Sequence, residues 1–136
     1  MYELTVEAVF SAAHALVIQG ALEQIHGHDW HVTAAVTGTA LDADGLLVDF
    51  HAVEKALQAI VAPFKNANLN QTPPFDRVNP SAENVAAYLA QSLDERVWRL
   101  VGAGATDRPT NSAGAPRVAW VRVTEAHGCA VKWIRT

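Results

Sequence analysis

Alternating apolar and polar residues predict that the chain is built on paired β-strands. Residues 2–10 carry an apolar side chain at every even position, and residues 30–37 repeat the same pattern. A period of two is typical of a strand that buries one face. The segment between the two stretches contains three of the chain's six histidines. A hairpin here would bring these histidines close to one another.

The middle of the chain changes to a helical period. Residues 50–61 carry apolar side chains with helical spacing, between a predicted N-cap at Asp49 and a predicted stop at Pro63. The apolar positions are Phe50, Val53, Leu57, Ile60 and Val61. A second helix is predicted to begin near Asn79-Pro80, with the proline in its first turn. Its apolar positions recur every fourth residue: Val85, Leu89, Leu93 and Val97.

The last third of the chain predicts a loop and a second pair of strands. Residues 101–116 are rich in Gly, Ala, Pro, Ser and Thr, which predicts a surface loop. Short strands are predicted at 118–124 and 130–135. The order strand, strand, helix, helix, strand, strand predicts a single α+β domain over residues 1–136. In it, an antiparallel four-stranded sheet carries two helices on one face. Open sheet edges invite pairing between subunits, so we expect a symmetric oligomer.

Charge and composition exclude several classes of protein. The formal net charge is −4, and the basic residues are scattered, which argues against a nucleic-acid partner. No stretch approaches the roughly 20 apolar residues of a membrane helix. The N-terminus runs straight into the strand pattern without a signal peptide, which predicts a cytoplasmic protein. The single cysteine, Cys129, rules out an internal disulfide and is expected to be a small buried hydrophobic residue.

Three histidines form a candidate metal site. His26 and His28 are two residues apart, so an extended segment directs both imidazoles to the same side. If the first two strands form a hairpin, His14 returns over this pair. Three neutral imidazoles with an open fourth position are typical of a catalytic zinc site, where the metal polarises a substrate oxygen. Spacing alone does not separate this hypothesis from ordinary loop histidines.

Five segments, taken in chain order, resemble the motifs of one family. They are FSAAH at 10–14, IHGHDW at 25–30, GLLVDF at 45–50, NPSAEN at 79–84 and TE at 124–125. These segments are similar to those of the 6-pyruvoyl-tetrahydropterin synthases and their relatives, which include 6-carboxytetrahydropterin synthase. The resemblance implies the tunnelling fold, in which the sheets of several subunits surround a channel, usually in a homohexamer. It also implies a zinc ion on His14, His26 and His28.

The resemblance further implies a dihydropterin substrate, typically 7,8-dihydroneopterin triphosphate, bound by Glu125 and Ser81. A pterin ring presents an N–H and an amino group side by side, and one carboxylate can accept from both. Glu125 lies at the end of a predicted strand, where a rigid sheet can orient it. Without the resemblance, a solvated acid at a strand end would be the simpler interpretation.

The chain departs from the family at the positions that usually transfer protons. Leu22 stands where the family has a catalytic cysteine, and Lys65 and Asn66 stand where it has an Asp-His pair. Glu23 resembles the glutamate variant of the family, which cleaves the substrate side chain to give 6-hydroxymethyl-7,8-dihydropterin. Glu23 is therefore a candidate base, with a surface loop residue as the alternative. His127, close to Glu125, is a second candidate, with a turn histidine as the alternative.

The sequence thus predicts a zinc-dependent pterin lyase acting on the side chain of a dihydropterin. A different class of function stays open, because the usual proton-transfer residues are missing. In that alternative, a catalytically inactive paralogue keeps the zinc and pterin sites and serves as a pterin carrier or sensor. A structural oligomer with a relic zinc site is a weaker third hypothesis.

Overall fold

Two long antiparallel strands form the centre of the molecule, in a computed structural model that describes residues 1–102 and 112–136. Strand β1 (Tyr2–His14) pairs with β4 (His26–Gly38) over its whole length. Between them lies a ribbon of two short strands, β2 (Val17–Ile18) and β3 (Ala21–Leu22). The predicted hairpin is confirmed. Its strands extend beyond the alternating pattern because backbone pairing continues to the register pair His14 and His26.

In the described part of the chain the sheet has five strands, so the predicted count of four is wrong. The strand order is β5-β1-β4-β6-β7, where β6 is Arg117–Ala126 and β7 is Cys129–Ile134. The added strand, β5 (Ala67–Asn68), pairs with β1 in parallel, whereas the other four strands are antiparallel. Two residues are too short for a visible period, so the sequence pattern does not reveal this strand.

Within residues 1–102 and 112–136, two α-helices pack on one face of the sheet, as predicted. Helix α1 (Phe50–Val61) begins at the predicted cap, where the Asp49 side chain accepts from the backbone N–H of His51. Short 3₁₀ helices follow at Ala62–Phe64 and Leu69–Gln71. One assignment was wrong: Phe50 lies in the first turn of α1 and is 60% exposed, away from the apolar face.

Helix α2 (Ala82–Val101) begins two residues later than predicted. Ser81 is its N-cap, because the Ser81 side chain accepts from the backbone N–H of Asn84. Asn79 and Pro80 therefore belong to the preceding loop. The helix also continues into the predicted loop at 101–116, of which residues 103–111 lie outside the described part of the chain.

The core lies between the helices and one face of the sheet. The even-numbered residues of β1 from Leu4 to Ala12 are buried there against Trp30 and Val32 of β4 and the apolar faces of both helices. Cys129 is exposed, so the prediction of a buried cysteine is wrong. The residue opens β7 next to the turn, where neighbouring elements do not cover it. Among the described residues, no helix is long and apolar enough to span a membrane.

Candidate metal and substrate site

The β1–β4 ladder brings the three predicted metal ligands together. His14 is the register partner of His26, and Ala12 is the partner of His28, so all three imidazoles lie on the core side at one end of the sheet. The ring centroids of His14 and His26 are 4.7 Å apart, those of His26 and His28 4.8 Å, and those of His14 and His28 5.2 Å. The expectation that His26 and His28 point to one side holds.

Backbone carbonyls set the orientation of two of the rings. His14 Nδ1 lies 2.8 Å from the carbonyl oxygen of Pro80, and His26 Nδ1 lies 2.9 Å from that of Gln24. Because a carbonyl can only accept, each Nδ1 carries the proton and donates it. Each Nε2 then presents a lone pair, which is the form of histidine that binds a metal.

Glu125 adds a carboxylate to the cluster from the end of β6. Its Oε1 lies 2.9 Å from His14 Nε2 and 3.0 Å from His28 Nε2. One ligand atom each from His14, His26, His28 and Glu125 falls within a span of 4.8 Å. Three nitrogens and one carboxylate oxygen at this spacing are a donor set that suits zinc.

Two of the imidazoles carry buried nitrogens that the protein does not satisfy. Among the described residues, His14 Nε2 and His28 Nε2 make no hydrogen bond of acceptable geometry, although Glu125 Oε1 lies close to both. Burial lowers the pKa of His28 below its ordinary value of 6.5, an effect that the nearby negative charge of Glu125 opposes. Since buried polar atoms are almost always satisfied, the cluster fits a bound metal ion.

Glu23 lies next to this cluster and also holds the loop after His14. Its Oε1 accepts from the backbone N–H of Leu16 at 2.9 Å and lies 3.8 Å from His26 Nε2. The backbone N–H of Glu23 donates to the Leu16 carbonyl oxygen at 2.9 Å. The carboxylate of this predicted base is therefore held beside a predicted metal ligand.

The other residues singled out from the sequence are not members of the histidine–glutamate cluster. Ser81 caps α2 directly after Pro80, the residue whose carbonyl orients His14. His127 lies exposed in the turn between β6 and β7 and is not part of the histidine–glutamate cluster. Leu22 is 68% exposed. Lys65 donates to Gln58, and the backbone N–H of Asn66 donates to the carbonyl of Ser11.

An open depression of about 510 Å³ borders the cluster at His28. Its wall includes Ser11 and Asp29, which are hydrogen-bonded to each other, and Asn66. This volume lies within the usual range for small-molecule sites, roughly 300–1,000 Å³. Ser11 and Asp29 alternate with His28 along the paired strands, so much of this depression lies on the sheet face opposite the imidazoles.

A family model described as 6-pyruvoyl tetrahydropterin synthase matches residues 3–134. The chain belongs to the 6-pyruvoyl tetrahydropterin synthase family. A curated relative from Archaeoglobus fulgidus is described provisionally as a 6-carboxy-5,6,7,8-tetrahydropterin synthase. It is 26% identical over 87 residues, which make up 64% of this chain and 71% of the relative.

Solved structures of 6-pyruvoyl tetrahydropterin synthases share the fold. The Caenorhabditis elegans enzyme has a TM-score of 0.70 at 20% identity, covering 100% of this chain and 98% of that chain. A Plasmodium vivax enzyme, solved with a catalytic glutamate replaced by alanine, has a TM-score of 0.69 at 16% identity, covering 98% and 97%. These similarities confirm the predicted α+β tunnelling fold.

Two asparagines position the site of this 6-pyruvoyl tetrahydropterin synthase family member, and sequence analysis missed them. The Asn70 side-chain amide accepts from the N–H of Ala15 and donates to its carbonyl, both at 2.8 Å. Asn79 makes the same pair of contacts with Val17, at 2.9 and 3.1 Å. Both hold the segment that follows His14. No local pattern marks them, because their partners are 55 and 62 positions away.

Proposed function

We propose that this protein is a zinc-dependent pterin lyase that acts on the side chain of 7,8-dihydroneopterin triphosphate or a related dihydropterin. The observation that carries the proposal is the convergence of His14, His26 and His28 with Glu125 at the end of the sheet. Membership of the 6-pyruvoyl tetrahydropterin synthase family supports it.

His14, His26 and His28 would hold the zinc, each through Nε2. Bound there, zinc would act as a Lewis acid on the oxygens of the substrate side chain. Glu125 would accept from the N–H and amino group on the pyrimidine edge of the pterin. Ser81 is proposed as a further substrate contact, since it neighbours Pro80 and hence His14.

Glu23 is the proposed base in a retro-aldol-like cleavage. It would take the proton from a side-chain hydroxyl, whose oxygen becomes the carbonyl of the departing aldehyde as the carbon–carbon bond breaks. The electron pair stays on the carbon attached to the pterin, which is then protonated to give 6-hydroxymethyl-7,8-dihydropterin. The position of Glu23 Oε1, 3.8 Å from His26 Nε2, supports this role. A catalytic glutamate in the Plasmodium vivax enzyme supports it as well.

His127 is a weaker candidate for proton transfer, because it lies exposed in its turn and outside the cluster. In the homohexamer that we propose, a neighbouring subunit would approach that turn and bring its own site close to His127. The expected partners are therefore the dihydropterin and further copies of this chain, with neither a nucleic acid nor a membrane involved. A cytoplasmic location belongs to the same proposal.

A second candidate function is a pterin-binding protein that has lost catalysis. Leu22 cannot transfer a proton, and it stands where the family has its cysteine. Lys65 and Asn66 stand at the positions of the Asp-His pair and make contacts with Gln58 and Ser11 instead. In this alternative the metal and pterin sites persist without turnover.

The experiment is to incubate the zinc-loaded protein with 7,8-dihydroneopterin triphosphate and identify the products by mass. We expect one zinc per chain and release of 6-hydroxymethyl-7,8-dihydropterin. His26→Ala should lose both metal and turnover. His31→Ala, which removes an exposed histidine from the same strand, is the matched control and should keep both.

Zinc retained at full stoichiometry in the His14→Ala, His26→Ala double variant would contradict the metal site. Detection of 6-pyruvoyl or 6-carboxy products would move the assignment to another reaction of the family. A parent protein that binds zinc and dihydropterin without forming product would favour the pterin-binding alternative.

A further inference from the structure

We propose that Glu125 is a metal ligand as well as a pterin ligand, and that it exchanges one role for the other. In the substrate-free protein its carboxylate completes the zinc site as the fourth ligand. When a dihydropterin binds, Glu125 leaves the metal and accepts hydrogen bonds from the pyrimidine edge of the pterin. The inference rests on the proposed zinc site and adds a resting state to it.

The position of Glu125 Oε1 is the first argument. This oxygen lies 2.9 Å from His14 Nε2 and 3.0 Å from His28 Nε2, the two buried nitrogens that lack a hydrogen bond among the described residues. Tetrahedral ligands at about 2.1 Å from zinc are separated from one another by about 3.4 Å. Oε1 therefore needs to retreat by only a few tenths of an ångström to share one zinc ion with the histidines.

The chemistry of the carboxylate is the second argument. To accept from the pterin N–H and amino group together, Glu125 must present both of its oxygens to the ring edge. One of those oxygens is the atom that lies among the imidazoles. In its observed position Oε1 faces the imidazoles, so the carboxylate has to turn away from them before both oxygens can face a pterin edge.

The backbone around Glu125 is the third argument. The pairing of β6 with β7 shifts register between Thr124 and Ala126, so Glu125 lies at an irregularity in the ladder. Its side chain is 24% exposed, whereas His14 is fully buried. The side chain of Glu125 is thus partly exposed, so its movement toward a ligand does not require the core to repack.

The test uses the full-length protein loaded with cobalt(II), whose visible absorption reports the number and kind of its ligands. Glu125→Gln keeps the shape of the side chain but removes its charge. We expect the parent to have the strong absorption of a four-coordinate site and Glu125→Gln to have a different spectrum. Zinc affinity, measured by chelator competition, should fall by at least about tenfold in Glu125→Gln, the lower end of losses seen for supporting residues.

Glu7→Gln is the matched control, because it removes the same charge from an exposed residue on the opposite face of the sheet. Its cobalt spectrum and zinc affinity should equal those of the parent. Addition of 7,8-dihydroneopterin to the cobalt-loaded parent should change the spectrum, because Glu125 leaves the metal. Circular dichroism of each variant establishes that it is folded.

The outcomes separate this inference from the proposed function. Equal zinc affinity and equal spectra in the parent and Glu125→Gln would overturn the fourth-ligand role and leave the three-histidine site standing. A parent spectrum that stays unchanged at saturating dihydroneopterin would overturn the exchange. A parent that binds neither zinc nor cobalt would overturn both this inference and the proposed zinc enzyme.

Discussion

At the scale of single residues, Glu23 holds a loop and lies beside the candidate site. One carboxylate oxygen accepts from the backbone N–H of Leu16, and the same oxygen faces His26 Nε2 at 3.8 Å. Its structural role needs only an acceptor, whereas the proposed role as a base needs a negative charge. The two roles can therefore be separated by a substitution that preserves the acceptor.

We expect Glu23→Gln to abolish turnover while zinc and dihydropterin binding stay at parental levels. The glutamine oxygen can still accept from Leu16, so the loop should be retained. Turnover should fall by about 10²–10⁴-fold, the usual contribution of a general base. The measurement is single-turnover product formation, together with zinc content and pterin affinity.

Glu23→Ala is the control for the structural role, because it removes the acceptor as well as the charge. If the loop contact matters, the alanine variant should lose stability that the glutamine variant keeps. Unchanged turnover in Glu23→Gln would exclude Glu23 as the base and direct attention to His127 or to a neighbouring subunit.

At the scale of elements, the start of helix α2 supports the proposed metal site. Ser81 caps the helix through Asn84, and the preceding residue, Pro80, presents its carbonyl to His14. Asn84 also donates from its side chain to the carbonyl of Asn79, whose own amide holds Val17. One helix terminus thus orients the proposed metal ligand His14 and holds the loop beyond it.

We expect Ser81→Ala to destabilise the protein by about 1 kcal/mol, because it removes the helix cap. Ser81→Asn, which can also cap, should recover most of that loss. Urea denaturation measures both. Pterin affinity provides the second readout: if Asn restores stability but not affinity, the hydroxyl contacts the substrate. Parental pterin affinity in both variants would contradict the substrate-binding role proposed for Ser81.

At the scale of the whole molecule, the sheet has one open edge and one partly covered edge. Strand β7 forms one edge, while the two-residue β5 covers part of β1 at the other. Ile134, the last residue of β7, is apolar and 60% exposed. An open strand edge favours pairing with another sheet, in line with the homohexamer that we propose.

We expect the purified protein to have the mass of a hexamer in light scattering and Ile134→Lys to shift it toward smaller species. The reason is that a lysine at the joined edge would bury a charge between subunits. Leu100→Lys is the matched control, since it places the same charge at an exposed apolar position on α2. A monomeric parent at micromolar concentration would contradict the proposed assembly.

The sequence by itself determined the elements whose signal is local. Alternation located β1 and β4, helical spacing and Asp49 located α1, and the two-residue spacing of His26 and His28 directed both to one side. These features depend on neighbours in the chain, where the period of a strand or helix leaves a readable pattern.

Only the tertiary structure decided how the site is completed. The carbonyl that orients His14 comes from Pro80, 66 positions away, and Asn70 reaches Ala15 across 55. Glu125 reaches the histidines from β6, since β6 pairs with β4. The short strand β5 and the exposure of Cys129 and Phe50 also depend on what packs beside them. Such contacts join residues that are distant in the chain, so no local period encodes them.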